Sequence, residues 1–430
     1  MKILTVVRDL NRGGTQRAAV NYSLGYARAG YHVAVFGYDG GGPRSLTLKQ
    51  HGIKVFELDR HTPEAYERIE KWNPDLIHIH RTGYPDKATG EVISRLKKPK
   101  GRNRPVLETN VFARADHTPA GKLIDVHLHL SEWCLWKWSK WARGMRPSPL
   151  GVVIPYAVDP THFFHDPEGR RSFRQAHDIP EHAIVFGRVG QRSVWKWSTA
   201  MFDAFEQAAS THSTIYLVVV GLPEELRSRM NALPASIRER VREVGYLDGD
   251  DKLRACYSSF DAFLHTAEIG ESFGMVLAEA MLCACPVITQ SRPLRDNSQL
   301  EVVQHGIGGL VAANTEGLVG SMNQFIEDGA LRRSMGQAGA QSIRERFALP
   351  VVMKNLTRIV EVIRGAASSP SLRQQLELDP MLTTTVPDSR IKQLLSHALG
   401  DSSLRESLLL PLVHNPLAYR AWQAIKRANE

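Results

Sequence analysis

Cysteine is scarce in this chain: Cys134, Cys256, Cys283 and Cys285 are the only four in 430 residues. Cys283 and Cys285 flank one alanine at a predicted helix end, which is not metal-ligand spacing, and no histidine pair follows. Buried free thiols are expected instead, and so few of them suit a reducing cytoplasm. Long hydrophobic runs are missing too. The longest, Ile215 to Leu222, falls far short of the roughly 20 residues a membrane span needs, and reads as a buried parallel strand. The apolar Ile3 to Val7 stops at Arg8 and Asp9, so it is no secretory leader. No dense Lys/Arg block is interleaved with aromatics, which argues against nucleic acid as a partner. Gly13-Gly14-Thr15 lacks the G-x-G-x-x-G spacing, and Asp39 is a weak stand-in for a ribose-binding acid, so a dinucleotide oxidoreductase is disfavoured. No Asp-x-Asp closes a strand. The run Asp248-Gly249-Asp250-Asp251 precedes a predicted helix and reads as its cap, so neither a metal nor a cofactor is expected.

What is present is an alternation of strand and helix patterns over a length that predicts two domains. Ile3–Val7, His32–Phe36, Val55–Leu58, Leu76–His80, Pro105–Thr109 and Val126–Leu130 read as strands. Amphipathic spacers, such as Gln16–Ala29 and Pro63–Trp72, lie between them. That order implies right-handed βαβ units and a parallel sheet. Prolines 147, 149, 155 and 160, with Gly151, mark residues 143–160 as an interdomain linker. A second series follows, with strands at Ala183–Gly190, Ile215–Val220, Val241–Gly245, Phe260–His265, Cys285–Thr289 and Gly309–Val311. Residues 316–365 look helical throughout. Further helices are expected around Leu372–Leu378, Ile391–Leu399 and Asn415–Arg427, the last a basic helix carrying Trp422. The domains expected are 1–150, 151–345 and a C-terminal helical stretch, 346–430, whose first helix packs back on the rest. The net charge of +9 suits anionic ligands and an anionic membrane surface.

The most informative segment is Glu271-Ser272-Phe273-Gly274-Met275-Val276-Leu277-Ala278-Glu279. It lies between two strand patterns, at the carboxyl end of a buried strand, where open α/β sheets bind ligands. A gap of eight residues turns a helix by about two turns plus roughly 80°, so the two acids cannot share a helix face. Glu271 is expected in the loop and Glu279 one turn inside the helix. The amides of Phe273, Gly274 and Met275 then form an anion site at the helix start. Acids beside an anion site fit a ligand with both phosphates and hydroxyls, such as a nucleotide sugar.

With its Phe-Gly after the first acid, Ala280-Met281 after the second and Cys285-Pro286-Val287-Ile288 beyond, this segment resembles the signature of the family 4 retaining glycosyltransferases. Gly13-Gly14-Thr15-Gln16-Arg17, the run from Val153 to Asp159, and Glu301-Val302-Val303 with Gly309-Leu310-Val311 resemble other segments of that family. The likeness covers roughly residues 1–360. It implies a GT-B architecture of two facing Rossmann-like domains, the N-terminal for an acceptor and the C-terminal for a UDP- or GDP-sugar. It implies that Glu279 binds the ribose hydroxyls, that Glu271 lies near the transferred sugar, and that Phe273, Gly274 and Met275 meet sugar and phosphate. Lys196 would neutralise the leaving diphosphate. Gly14 would let the first loop approach the phosphates, and the base would sit near Tyr246. The resemblance further implies a hexosyl transfer, a glycan or lipid-linked acceptor, and work on cell-surface polysaccharide or glycolipid at the inner membrane face.

Two departures stand out. Gln191 occupies the position of the family's phosphate-binding arginine, which leaves Arg192 or Arg188 to supply the charge. No histidine follows the fifth strand, where Asn110 stands, and His78 and His80 read as core residues. A sugar-nucleotide epimerase or phosphorylase of the same architecture is the first alternative. A degenerate member that binds sugar nucleotide without turnover is the second.

Overall fold

The protein, seen here as a computed structural model, is described over residues 1–97, 103–366, 369–399, 410, 415, 417 and 418. Trp422 and most of the expected last helix lie outside the described residues. The chain forms two compact units. Met1–Ala157 and the returning Leu349–Ile391 belong to the first, and Val158–Ala348 makes up most of the second.

The first unit is built on strands β1 (Lys2–Val7), β2 (His32–Gly37), β3 (Lys54–Glu57), β4 (Leu76–Arg81), β5 (Val106–Asn110), β6 (Val126–His129) and β7 (Gly151–Val153). They form one sheet in the order β3-β2-β1-β4-β5-β6-β7, with every pairing parallel. The central strands β1, β2 and β4 are buried almost throughout, which is why their sequences are rich in apolar residues. One face packs against helices Gly14–Arg28 and Leu349–Gly365. Leu349, Val352, Met353, Leu356, Ile359, Val360 and Ile363 recur on the inner side of the returning helix at helical spacing. Its fit is close: a Cβ on Gly25 would stand 2.5 Å from Met353 Sδ.

Two expectations need correction here. Strand β7 lies inside the stretch read as a linker, and the chain leaves the first unit at Ala157 rather than at 150. The three-residue β7 pairs on one side only, at the sheet edge, where flanking prolines are tolerated and mask the strand signal. The expected third domain, 346–430, is not a unit of its own either, because Leu349–Ile391 shares the first unit's core.

The second unit holds β8 (Ile184–Val189), β9 (Ile215–Val220), β10 (Val241–Val244), β11 (Ala262–His265), β12 (Gly270–Glu271), β13 (Val287–Gln290), β14 (Asp296–Asn297) and β15 (Gly309–Ala312). Six of them form a parallel sheet in the order β10-β9-β8-β11-β13-β15, and β12 pairs with β14 apart from it. Each sheet doubles back beside its first strand, between β1 and β4 in one unit and between β8 and β11 in the other. Such reversal points open a crevice at the carboxyl ends of the strands. In the second unit those ends lead to Lys196, after β8, and Glu271, after β11.

Candidate active site

Strand β8 runs into a short turn, Val194–Lys196, and then helix Ala200–Thr211. Trp197, buried behind the turn, donates its indole N–H to the Gln191 carbonyl at 2.8 Å. The Lys196 amide bonds the Ser193 carbonyl at 2.9 Å. Arg188, on β8, is buried and reaches forward: one guanidinium nitrogen donates to the Lys196 carbonyl at 2.6 Å and another to the Val189 carbonyl. Its guanidinium lies 4.9 Å from the Trp197 ring centroid and 5.8 Å from that of Phe263. Arg188 therefore shapes the turn that presents Lys196. Burial pulls its pKa down to about 10, which leaves it cationic at neutral pH.

Strand β11 delivers His265, and the chain then turns into β12. Glu271 thus sits in a two-residue strand rather than in a free loop. The reason is local: its amide donates to Gln299 Oε1 at 3.2 Å, and its carbonyl accepts from the Ser298 amide at 2.8 Å. Gln299 is itself fixed, donating to the Gln290 carbonyl at 2.9 Å and to Asn297 Oδ1 at 3.0 Å. The Glu271 carboxylate accepts from Lys196 Nζ at 2.7 Å and meets His265 Nε2 at 3.2 Å. Burial alone would raise its pKa. The Lys196 ammonium and the His265 bond outweigh that and hold it well below the usual carboxylate range. An ionised Glu271 needs the proton on His265 Nε2, so His265 Nδ1 accepts from Thr289 Oγ1 at 3.0 Å. Burial, with Arg188 nearby, brings the His265 pKa down to about 4, so it is a neutral donor at physiological pH.

Gly274 precedes helix Met275–Leu282 with φ +88°, a left-handed conformation that glycine tolerates. A Cβ there would stand 2.7 Å from Leu277 Cδ1. Phe273 is buried edge-on against Phe347, with ring centroids 5.1 Å apart. That contact anchors the turn. The helix's opening amides, including Met275, have no carbonyl partner within the helix and carry its positive dipole end. Glu279 lies one turn inside, buried, and accepts from the Tyr257 hydroxyl at 3.0 Å. Burial and this carboxylate push the Tyr257 pKa well up, so the phenol stays protonated as a donor.

Lys196, Arg188, Glu271 and the Phe273–Met275 turn thus gather at one reversal point, and Glu279 follows in the helix that starts there. Arg192 stands exposed next to the turn. Tyr246 is 52% exposed in the loop after β10. Gly14 opens the first helix of the other unit. Sequence reasoning passed over His265, Tyr257 and Gln299. His265 had a usable signal, since it ends the strand that leads into the two-acid segment.

Residues 169–342 match the model of the glycosyl transferases group 1 family. The chain is a glycosyltransferase. Its curated relatives include the phosphatidyl-myo-inositol mannosyltransferase of Mycobacterium tuberculosis, 24% identical over 364 residues that cover 80% of this chain and 88% of that protein. The protein of the same name from Mycobacterium leprae is 28% identical over 179 residues, 45% of its length. Among solved structures, Anabaena HepE in complex with UDP and glucose aligns with a TM-score of 0.67 at 19% identity, over 84% of this chain and 99% of that one. A sucrose-phosphate synthase from Thermosynechococcus elongatus aligns with a TM-score of 0.64 at 16% identity, over 85% and 100%. These likenesses establish for the glycosyltransferase a fold of two Rossmann-like domains.

Proposed function

We propose that this glycosyltransferase moves a sugar from a nucleotide-sugar donor to a hydroxyl of a glycan or lipid-linked acceptor, with retention at the anomeric carbon. The carrying observation is the Lys196–Glu271 pair at the reversal point of the second sheet, followed by a helix start and the buried Glu279. Glu279 accepts two ribose hydroxyls, a natural match of one carboxylate to a vicinal diol. The diphosphate meets Lys196 and the amides of the Gly274 turn, while Arg188 holds the lysine-bearing turn and adds a fixed positive charge behind it. Glu271, kept ionised, bonds hydroxyls of the transferred sugar.

In the reaction the bond from the anomeric carbon to the β-phosphate oxygen breaks, and its electron pair leaves with the phosphate. The acceptor oxygen forms the new bond on the same face. Its proton passes to the departing phosphate oxygen. Lys196 and the helix amides stabilise the negative charge that grows there, and this is where the protein lowers the barrier. The UDP and UDP-glucose in the Anabaena structures support a nucleotide-sugar donor such as a UDP-sugar, and the names of the mycobacterial relatives support a lipid acceptor. The net charge of +9 suits work at an anionic membrane face, in polysaccharide or glycolipid synthesis.

A thermal-shift series with UDP, GDP and ADP tests the donor half. One nucleoside diphosphate at about 100 times its Kd should stabilise the folded chain by ~2.7 kcal/mol. No shift with any of the three at millimolar concentration would overturn the assignment.

A further inference from the structure

Apart from Gly14, the donor features described above lie in the second unit, and a transferase needs a second ligand. The first unit has its own parallel sheet, with its own carboxyl edge, and that edge carries a built cluster. The turn after β4 and the turn after β5 are joined by backbone bonds: the Val111 amide donates to the Arg81 carbonyl at 3.0 Å and the Phe112 amide to the Thr82 carbonyl at 3.1 Å. Asn110, buried at the end of β5, holds the second turn from below. Its side chain donates to the Arg114 carbonyl at 2.7 Å and accepts from the Arg114 amide at 3.2 Å. Gly83, at φ +87°, leaves the room this needs, since a Cβ there would come 2.0 Å from Asn110 Oδ1. The far end of the turn is tied down by Asp116, which accepts from Arg81 at 2.8 Å. Arg81 also bonds Glu108, which accepts from His127 as well, and all four side chains are buried.

So restrained, the turn sets the Arg114 guanidinium between two aromatic rings, 5.3 Å from the Tyr84 centroid and 5.1 Å from that of Trp141. Its Nε donates to the Tyr84 hydroxyl at 3.0 Å. Phe112 adjoins Tyr84, with centroids 6.4 Å apart. Tyr84 is 48% exposed. A surface arginine ordinarily loses much rotamer freedom when it binds. Here the rings have already restricted it, and a guanidinium held this way is suited to bonding an oxyanion in its own plane. Exposed aromatic area alongside suits the C–H face of a sugar ring.

We propose that Tyr84, Phe112, Arg114 and Trp141 form an acceptor subsite for a sugar bearing an anionic substituent. The inference rests on the transferase reading above and names the acceptor's chemical class. The shared chemistry is an oxyanion on a pyranose, whether a carboxylate or a phosphate ester. Asn110 and the Arg81–Asp116 pair are positioning residues for it.

Titration of the full-length chain with glucuronate, glucose 6-phosphate and glucose, saturated with whichever nucleoside diphosphate shifts its melting, tests the proposal. Glucuronate or glucose 6-phosphate should bind at least about tenfold more tightly than glucose, and which of the two wins separates a uronic acid from a phosphorylated sugar. Arg114→Ala should abolish that preference while the nucleotide shift stays unchanged, and Arg114→Lys should restore it in part. Wild-type protein that binds the three alike overturns the subsite, as does an Arg114→Ala chain of wild-type melting temperature that keeps the preference. Loss of the nucleotide shift in wild-type protein would instead undo the transferase reading on which the inference stands.

Discussion

Lys196 and Glu271 are a partly screened pair of unequal members: the lysine side chain is 23% exposed and the glutamate 8%. Removing the lysine takes away the direct ion-pair partner of a buried carboxylate and leaves neutral His265 bonded to it, with the Arg188 charge further back. Lys196→Ala should therefore lose most donor turnover, roughly a hundredfold or more. It should also lower stability by ~1–3 kcal/mol, less than the loss of a fully buried pair because water reaches the ammonium. Steady-state kinetics and a melting curve on the same sample check both. Glu279→Gln keeps the bond to Tyr257 but removes the charge, and should raise the donor KM about tenfold or more with little change in melting. Equal KM values would remove the ribose assignment. At this scale the two-acid segment was legible because its residue types serve no simple packing purpose. His265 was not, since a histidine ending an apolar strand looks the same in sequence whether it fills a core or braces a carboxylate. Arg188 was legible only as a charge, because its burial and its bonds to carbonyls depend on the fold of the turn after β8.

A single glycine sets the direction of helix Met275–Leu282. Gly274→Ala must place a Cβ at φ +88° and within 2.7 Å of Leu277, a strain of ~1–2 kcal/mol. If the backbone escapes by rotating, the opening amides turn away from the anion position. The expected outcome is weaker nucleoside diphosphate binding, about tenfold or more by titration, in a chain that still folds. An unchanged affinity would mean those amides do not bind phosphate. Strands and long helices could be read from apolar runs and helical spacing, as Pro63–Trp72 and the run Leu349–Gly365 illustrate. Strand β7 could not, because it is three residues long and is recruited by its neighbour β6 rather than by its own composition. The two-residue strand β12 likewise exists only through Gln299 and the chain at Asp296–Asn297.

Over the whole molecule, several buried histidines are held neutral. Burial brings His78 down to about 3 and His265 to about 4, and pushes His80 and His129 well below the ordinary value. Below pH 6.5 the unfolded chain takes up protons that these folded sites refuse, so stability falls as pH falls through that window. Glu108, whose carboxylate is desolvated but held down to about 2 by Arg81 and His127, adds a loss of the same sign below the usual carboxylate pKa. Melting temperature should thus be highest near neutrality and drop steadily toward pH 4, and a flat profile from pH 7.5 to 5 would contradict this. Both ring nitrogens of His80 are buried without a hydrogen-bond partner, and the ring stacks on His78 at 4.5 Å. His80→Phe should flatten part of the acid slope and hold or raise stability by ~1 kcal/mol at pH 6. The two-domain plan was readable from the repeat of strand and helix. A helix packing back after residue 346 was expected, but which core it joins was not legible, because nothing local in Leu349–Ile391 names the surface that will cover it. That return orders events on the ribosome. Strands β1 to β7 emerge long before the second of the two helices that cover one of their faces, so the nascent N-terminal unit waits with that face part uncovered while most of the second unit is made. Stalling translation just before Leu349 should leave a species that binds a hydrophobic dye and recruits chaperones, and release of the next few dozen residues should quench both.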